Sequence, residues 1–557
     1  MLVSVCTLLA LAAYLPRFSL LYTRTFDPDE FQHLHATWAV SQRLVPFRDF
    51  FEHHMPAMQL LLAPVMQHFD VNGSAEGAVD FMFVARLMMA ICAGAAVVLT
   101  WILAARPRDP QTPFIAVALL STSIVFLGRT LEIRPDTPSL PFWIAALCAL
   151  SRGSEPGDVE SRRTWWFVVA GLCFGVALTF NQKLLLAGPG LAVWGAIYLF
   201  DRNRSGVMAS NADRVIRLML FGTTAAVPLL LIVGWFGVHG ALRDMIHGTL
   251  IGNLGWPREV AASSTIRWMA LRDPALSALM VGGFLHQALT MMREGGMGRD
   301  SAAWCAGVSL IGLLFVTPTP FPQYMLLVLP IGAVFAARML WAMVTTWPRG
   351  QALVPGGRPL DAVIVVAGIM VTLTAALEIA RPFFVHPAVY PAVALLALVW
   401  SVVFSRRMHP GIALAALLAV SAIYPLQQVR WMEGLSNRDQ LAAIRALHTE
   451  TTSSTTVLDG FTGLAWFRPY ASYYGFLHPG VRAFLSEPAK ASIVAELSQC
   501  DAPPGVVILD VNLRALSPEV EEFVRRRYHP GSVPDTWLRN EPDSSPCEDH
   551  PSGKYSR

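Results

Sequence analysis

The segment MLVSVCTLLALAAYLPRFSLLYTRTFDPDEFQHLH, residues 1–35, decides the fold. Its first 22 residues form an apolar run with no basic n-region and no A-x-A-like cleavage site, so it reads as a first membrane span rather than a signal peptide. Three carboxylates and two histidines follow at once: Asp27, Asp29, Glu30, His33 and His35. Such a cluster can cap a helix, bind a metal or activate a substrate, and the rest of the chain has to decide.

Composition puts the cluster in a membrane context. The 557 residues are 54% hydrophobic and only 15% charged, where a soluble globular chain carries about 25% charged residues. Apolar runs lie near 2–22, 81–105, 113–128, 137–151, 164–180, 184–200, 217–238, 275–292, 301–316, 323–346, 359–379, 387–404 and 410–426. The expectation is an all-α polytopic membrane protein of about thirteen transmembrane helices with a small C-terminal α/β domain. Lys+Arg of 42 against Asp+Glu of 39 says little about partners, so the placement of charge matters more than its sum.

That placement orients the spans. With the N-terminus inside, the Arg-bearing loops at 106–112, 151–163, 201–217, 293–300, 347–358 and 405–410 all face the cytoplasm, as the positive-inside rule requires. Residues 427–557 and the loops 23–80 and 239–274 then share the opposite, extracytoplasmic face. The domain reading is therefore a transmembrane domain over 1–426 and an extracytoplasmic α/β domain over 427–557 with a disordered tail. Arg, Ala and Gly richness suggests a bacterial chain, which places it in the inner membrane.

The outer segments have readable pieces. VPFRDFFEHHMPAMQLLLAPVMQHF, residues 45–69, is amphipathic and reads as lying along the membrane surface. In the C-terminal part STTVLDGF and GVVILDVNL read as buried strands, and RDQLAAIRALHTE, PAKASIVAELSQC and SPEVEEFVRRRY as helices. Cys500 and Cys547 could pair there; the other five cysteines sit in apolar runs.

Capping explains part of the acidic cluster. Asp27 suits an N-cap, Pro28 the first helical position and Glu30 the third, as in a capping box. It does not require Asp29, nor His33 one helical turn further on. A second group, Arg48, Asp49, Glu52, His53 and His54, lies in the same loop, and the outward turns add Arg129, Glu132, Arg134, Asp136 and Lys183. Ionisable groups at a membrane boundary point to function. Carboxylates that can remove a proton, beside cations that can meet a phosphate, suit group transfer from a lipid phosphate.

The order of motifs resembles the multi-spanning glycosyltransferases of the GT-C fold, in the bacterial branch related to protein O-mannosyltransferases and aminoarabinose transferases. DPDEFQHLH, FFEHHMPAMQLLLAP, EIRPDTPSLPFWIAAL, ALTFNQKLLLAGPGL and PTPFPQYMLLVLPIGAVFAA carry the likeness over roughly residues 1–345. The resemblance implies a polyprenyl-phosphate sugar donor and a lipid, glycan or protein acceptor, with in-line displacement at the anomeric carbon. It implies Asp29 as general base with Glu30 beside it, and Arg134, Lys183, Arg129 and Arg48 at the donor phosphate. Asp27, His33, Glu52, His53 and His54 are left as substrate contacts or ligands of a divalent cation, whose use stays open. The His54-Met55-Pro56 wording departs from the His-Pro-Pro-Leu common in that family. A secondary transporter or a non-catalytic membrane scaffold with an outer domain are the alternatives; neither calls for carboxylates gathered at one surface.

Overall fold

The computed structural model describes residues 1–107, 109–155, 160–200, 210–293, 298–346, 410–497 and 503–540. The expected spans at 359–379 and 387–404, both cysteines of the suggested pair and the polar tail lie outside them. The helices that position the site are α1 (Leu2–Tyr14), α2 (Pro16–Thr23), α3 (Pro28–Ser41), α4 (Ala57–Met66), α5 (Ala75–Ala104), α6 (Thr112–Thr122), α7 (Ile124–Arg129), α8 (Asp136–Gly153), α9 (Glu160–Phe180), α10 (Gly188–Phe200) and α11 (Asn211–Val238).

Among the described residues, five helical segments are long and apolar enough to cross a membrane: Leu2–Thr23, Ala75–Ala104, Ser161–Phe180, Gln182–Phe200 and Asn211–Val238. A sixth forms if the bent pair Ala262–Arg272 and Leu276–Arg293 counts as one span, and four further apolar helices are shorter. The count of thirteen is thus not confirmed. One reason is visible at Ser123, where the apolar run 113–128 breaks into α6 and α7. Ser123 turns extended, and the buried Asp273 carboxylate accepts from its hydroxyl at 2.7 Å and from the Ile124 N–H at 2.8 Å. Elsewhere the bundle packs closely. A side chain at Gly175 of α9 would run into the Ala225 carbonyl of α11, so glycine there lets the two backbones touch.

The C-terminal part follows the sequence reading in its helices, Arg438–Glu450, Glu487–Leu497 and Glu519–Arg527, and in two of its strands. β1 (Val457–Asp459) runs parallel to β2 (Val506–Ile508). β3 (Tyr528–Pro530) and β4 (Thr536–Arg539) complete a sheet of order β1-β2-β4-β3.

This part is not appended loosely. One apolar core joins Phe31, Leu34 and Trp38 of α3 to Phe81 of α5 and to Ile444, Val457 and Trp466. The backbone is stitched as well: Thr25 N–H to the Leu435 carbonyl at 3.1 Å, Asn437 N–H to Thr23 at 2.9 Å and Phe51 N–H to Tyr473 at 2.9 Å. The expectation of a surface-lying amphipathic helix is corrected at α4. Its Met58, Leu62 and Met66 are buried in that same core, so its apolar face is taken up by protein.

Candidate functional site

α3 begins as the capping pattern predicts. The Asp27 carboxylate accepts from the Asp29 N–H at 3.1 Å, and Glu30 Oε1 accepts from the Asp27 N–H at 2.9 Å. The cap leaves the Asp29 side chain free of capping duty, and Arg134 reaches its Oδ2 at 2.8 Å and Asp27 Oδ1 at 3.2 Å. Burial is the largest single effect and would raise Asp29, but Arg134, together with the imidazoles of His33, His478 and His54, overcomes it and holds this carboxyl well below the usual carboxylate range. Asp27 moves the other way, pushed up by burial and by the negative charge of Glu132. Glu132 itself is gripped by Arg134, by Arg129 at 3.0 Å and by Arg24 at 2.9 Å; these arginines overcome its burial and hold it at about 2.

Glu30, expected beside Asp29 at the substrate, is placed elsewhere. It is 0% exposed and forms a two-pronged pair with Arg86 of α5 at 2.7 and 2.9 Å, while its Oε2 also accepts from the Ile133 N–H at 3.1 Å. Arg86 donates its remaining hydrogens to the carbonyls of Leu21, Arg24 and Thr25 and lies 3.5 Å over the Phe26 ring. Glu30 thus ties the start of α3 to α5 and to the 129–135 turn.

The second acidic group closes on the first. Glu52 Oε1 accepts from the N–H groups of His53 and His54 at 2.8 and 3.0 Å and lies 2.9 Å from His54 Nδ1. The His33 and His54 rings are 4.9 Å apart, and one ligand atom from each of His33, Glu52 and His54 lies within 4.8 Å of the others. His33 Nδ1 is buried without a hydrogen-bond partner. Burial drives His33 down to about 3 and His54 to about 4, so both are neutral imidazoles at neutral pH. A buried, neutral, unpartnered nitrogen beside a carboxylate is a donor set that fits a divalent cation. His53 packs its ring on Trp256 at 5.1 Å, and its carbonyl is clamped by Gln182 at 2.7 Å and Asn253 at 2.9 Å.

Lys183 lies at the N-terminal end of the segment Gln182–Phe200. Its Nζ is 2.8 Å from Asp136 Oδ1 and 4.6 Å over the Tyr324 ring, and Asn181 holds the same Asp136 oxygen at 2.9 Å. Arg129 also reaches Asp27, at 3.6 Å. Arg48 is not brought to the cluster: it is exposed and paired with Asp49 and with the His239 carbonyl, each at 2.8 Å. Sequence reading missed Arg86, Gln182, Asn253 and Tyr324. Only Arg86, a charge inside an apolar helix, carries a signal that could have found it.

The mostly helical membrane bundle, with its acidic loop packed against a small α/β unit, has the GT-C fold. Residues 73–232 match the profile of the dolichyl-phosphate-mannose-protein mannosyltransferase family. Three solved structures share the fold. ArnT from Cupriavidus metallidurans in the apo state superimposes with a TM-score of 0.60 at 14% identity, over 92% of this chain and 94% of that one. The same protein bound to undecaprenyl phosphate gives 0.60 at 13% identity with the same coverage. The oligosaccharyltransferase AglB from Archaeoglobus fulgidus, in complex with an inhibitory peptide and a dolichol-phosphate, gives 0.53 at 12% identity, over 91% of this chain and 69% of that one. No curated protein matches the sequence.

Proposed function

We propose that the chain transfers a sugar from a polyprenyl-phosphate-linked donor to an acceptor hydroxyl on the extracytoplasmic face of a bacterial inner membrane. In this reading the N-terminus is cytoplasmic, residues 1–426 are the catalytic membrane domain and residues 427–557 the outer domain. The observation that carries it is Asp29 at the start of α3, ionised against Arg134 and facing His33 and His54, with Lys183 held on the neighbouring Asp136. Similarity to proteins solved with undecaprenyl phosphate and dolichol-phosphate supports the lipid donor.

The acceptor oxygen attacks the anomeric carbon in line as the bond from that carbon to the phosphate oxygen breaks. The hydroxyl proton passes to Asp29, and the polyprenyl phosphate leaves with the bonding pair. A carboxylate held so low is a weak ground-state base. It takes the proton late, once carbon–oxygen bond formation has made the hydroxyl acidic. Arg134 keeps it ionised and aimed; Lys183, with Arg129, faces the leaving phosphate. His33, Glu52 and His54 would hold a divalent cation, which would supply positive charge beside that phosphate. Asp29→Asn in the purified, folded protein is expected to lower transfer about 10²–10⁴-fold; near-normal transfer would remove Asp29 from this role.

A further inference from the structure

A cleft opens between α3, the loop that follows it, and the segment 469–476 of the C-terminal part. Its lining includes Gln32, His35, Trp38, Tyr470, Ser472 and Phe476. The mechanism above uses none of these six.

Gln32 poses the question. It is only 7% exposed, and its carboxamide has no hydrogen-bond partner among the described residues. In the same lining the Tyr470 hydroxyl is buried with no hydrogen-bond partner among the described residues, and a donor buried unpaired is costly. A ligand that pairs with it would remove that cost. Beside Gln32 the flat rings are layered: His35 stacks on Tyr470 at 3.7 Å and on Trp38 at 5.4 Å. His35 donates Nδ1–H to the Trp466 carbonyl at 2.8 Å, which leaves Nε2 as an acceptor. The Ser472 hydroxyl accepts from the Tyr474 N–H at 3.3 Å and keeps its own proton to donate. An aromatic wall ringed by an amide, an imidazole acceptor and a hydroxyl matches a ring that has apolar C–H faces and a rim of hydroxyls.

Charge and position say which ring. No lysine or arginine is in the lining, Lys183, Arg129 and Arg134 included, so the cleft offers a phosphate no cation. Gln32 lies three residues beyond Asp29, one turn along the same face of α3. Glu52 also belongs to the group with His33 and His54, so the cleft adjoins the reaction centre. We propose that it seats a neutral sugar ring of the acceptor. The acceptor is then a glycan or glycolipid, and its attacking hydroxyl is presented to Asp29 by that ring. This rests on the glycosyltransferase reading and adds the substrate class.

The test uses the full chain in lipid nanodiscs and the methyl glycosides of glucose, mannose, galactose and arabinose, followed by saturation-transfer NMR and tryptophan fluorescence. At least one glycoside is expected to bind saturably, and Gln32→Leu and Ser472→Ala each to weaken it about tenfold or more. Undecaprenyl phosphate should bind these variants as it binds the parent protein. Absence of saturable binding by all four glycosides, or equal binding by parent and both variants, would overturn the proposal. So would displacement of the glycoside by undecaprenyl-phosphoryl-mannose but not by undecaprenyl phosphate, since the cleft would then belong to the donor sugar. Asp29→Asn must still bind the glycoside. Should that variant also keep full transfer, the base assignment falls while the cleft stands.

Discussion

Removing Arg86 tests whether the acidic loop is held by a buried clasp. Glu30 and Arg86 are both 0% exposed, and the carboxylate receives two hydrogens from Arg86, one from the Asp27 N–H and one from the Ile133 N–H. Arg86→Met keeps the bulk but leaves an ionised carboxylate in the core with two backbone donors, and frees three carbonyls. Breaking a buried pair from one side costs about 3–5 kcal/mol. If that loss is felt in the unfolding barrier, heat inactivation in detergent quickens by up to about 10²–10³-fold. Glu30→Gln keeps one acceptor oxygen but turns an NH₂ toward donors, for about 1.5–3 kcal/mol. The double variant Glu30→Gln/Arg86→Met should be milder than the sum of the singles by about 1–3 kcal/mol, because it removes the stranded charge. Inactivation half-lives of the four proteins, read by size-exclusion fluorescence after heating, make the cycle. Additive losses, or an Arg86→Met half-life within twofold of the parent, would refute the clasp.

Three other outcomes follow from the same geometry. Lys183→Ala should weaken binding of undecaprenyl phosphate about 10–100-fold in a fluorescence or thermophoresis titration, the worth of a charged hydrogen bond; unchanged affinity removes Lys183 from the phosphate. With Asp29 held low, its ionisation should put no acid limb in the parent pH–rate profile between pH 5 and 8. Arg134→Gln removes the guanidinium and lets Asp29 rise, so activity should fall as pH falls through its new pKa, and a profile parallel to the parent's contradicts this. Mn²⁺ or Zn²⁺ should bind the folded chain in calorimetry, with Glu52→Gln and His54→Gln each weakening it about 10–100-fold; unaltered affinity would place any metal elsewhere.

Legibility from sequence divides along physical lines. Asp27, Pro28 and Glu30 were readable as a helix start because capping is local, set by residues three apart. The three C-terminal helices were readable for the same reason, from periodicity alone. Glu30's second duty was not, because its partner Arg86 lies 56 residues away on another helix. Lys183 was conspicuous as a cation on the disfavoured side of a span, but its bond to Asp136 depends on how α8 packs beside the segment Gln182–Phe200. β3 and β4 went unread because three- and four-residue strands carry almost no alternation signal. The burial of α4 went unread because an amphipathic face is the same whether lipid or protein covers it.

The balance of charge in the site constrains how it can receive a donor. Arg24, Arg129 and Arg134 face Asp27, Asp29 and Glu132, and Lys183 faces Asp136, so these groups offset one another. Among the described residues Glu52 is held by neutral partners, the His53 and His54 imidazoles and the Gln59 carboxamide at 3.0 Å, which leaves the resting site with excess negative charge. An anionic lipid phosphate entering this partly buried site meets repulsion that water screens only in part. Two changes can reverse it: Lys183 turning from Asp136, which Asn181 would continue to hold, or a divalent cation beside Glu52. The two differ in what they predict. If Lys183 supplies the charge, Lys183→Ala weakens donor binding by the same factor of about 10–100 whether or not metal is present. If the His33–Glu52–His54 group supplies it, chelation weakens donor binding in the parent and in Lys183→Ala alike, and Glu52→Gln without metal binds donor more tightly than the chelated parent, because it has shed the unmatched charge.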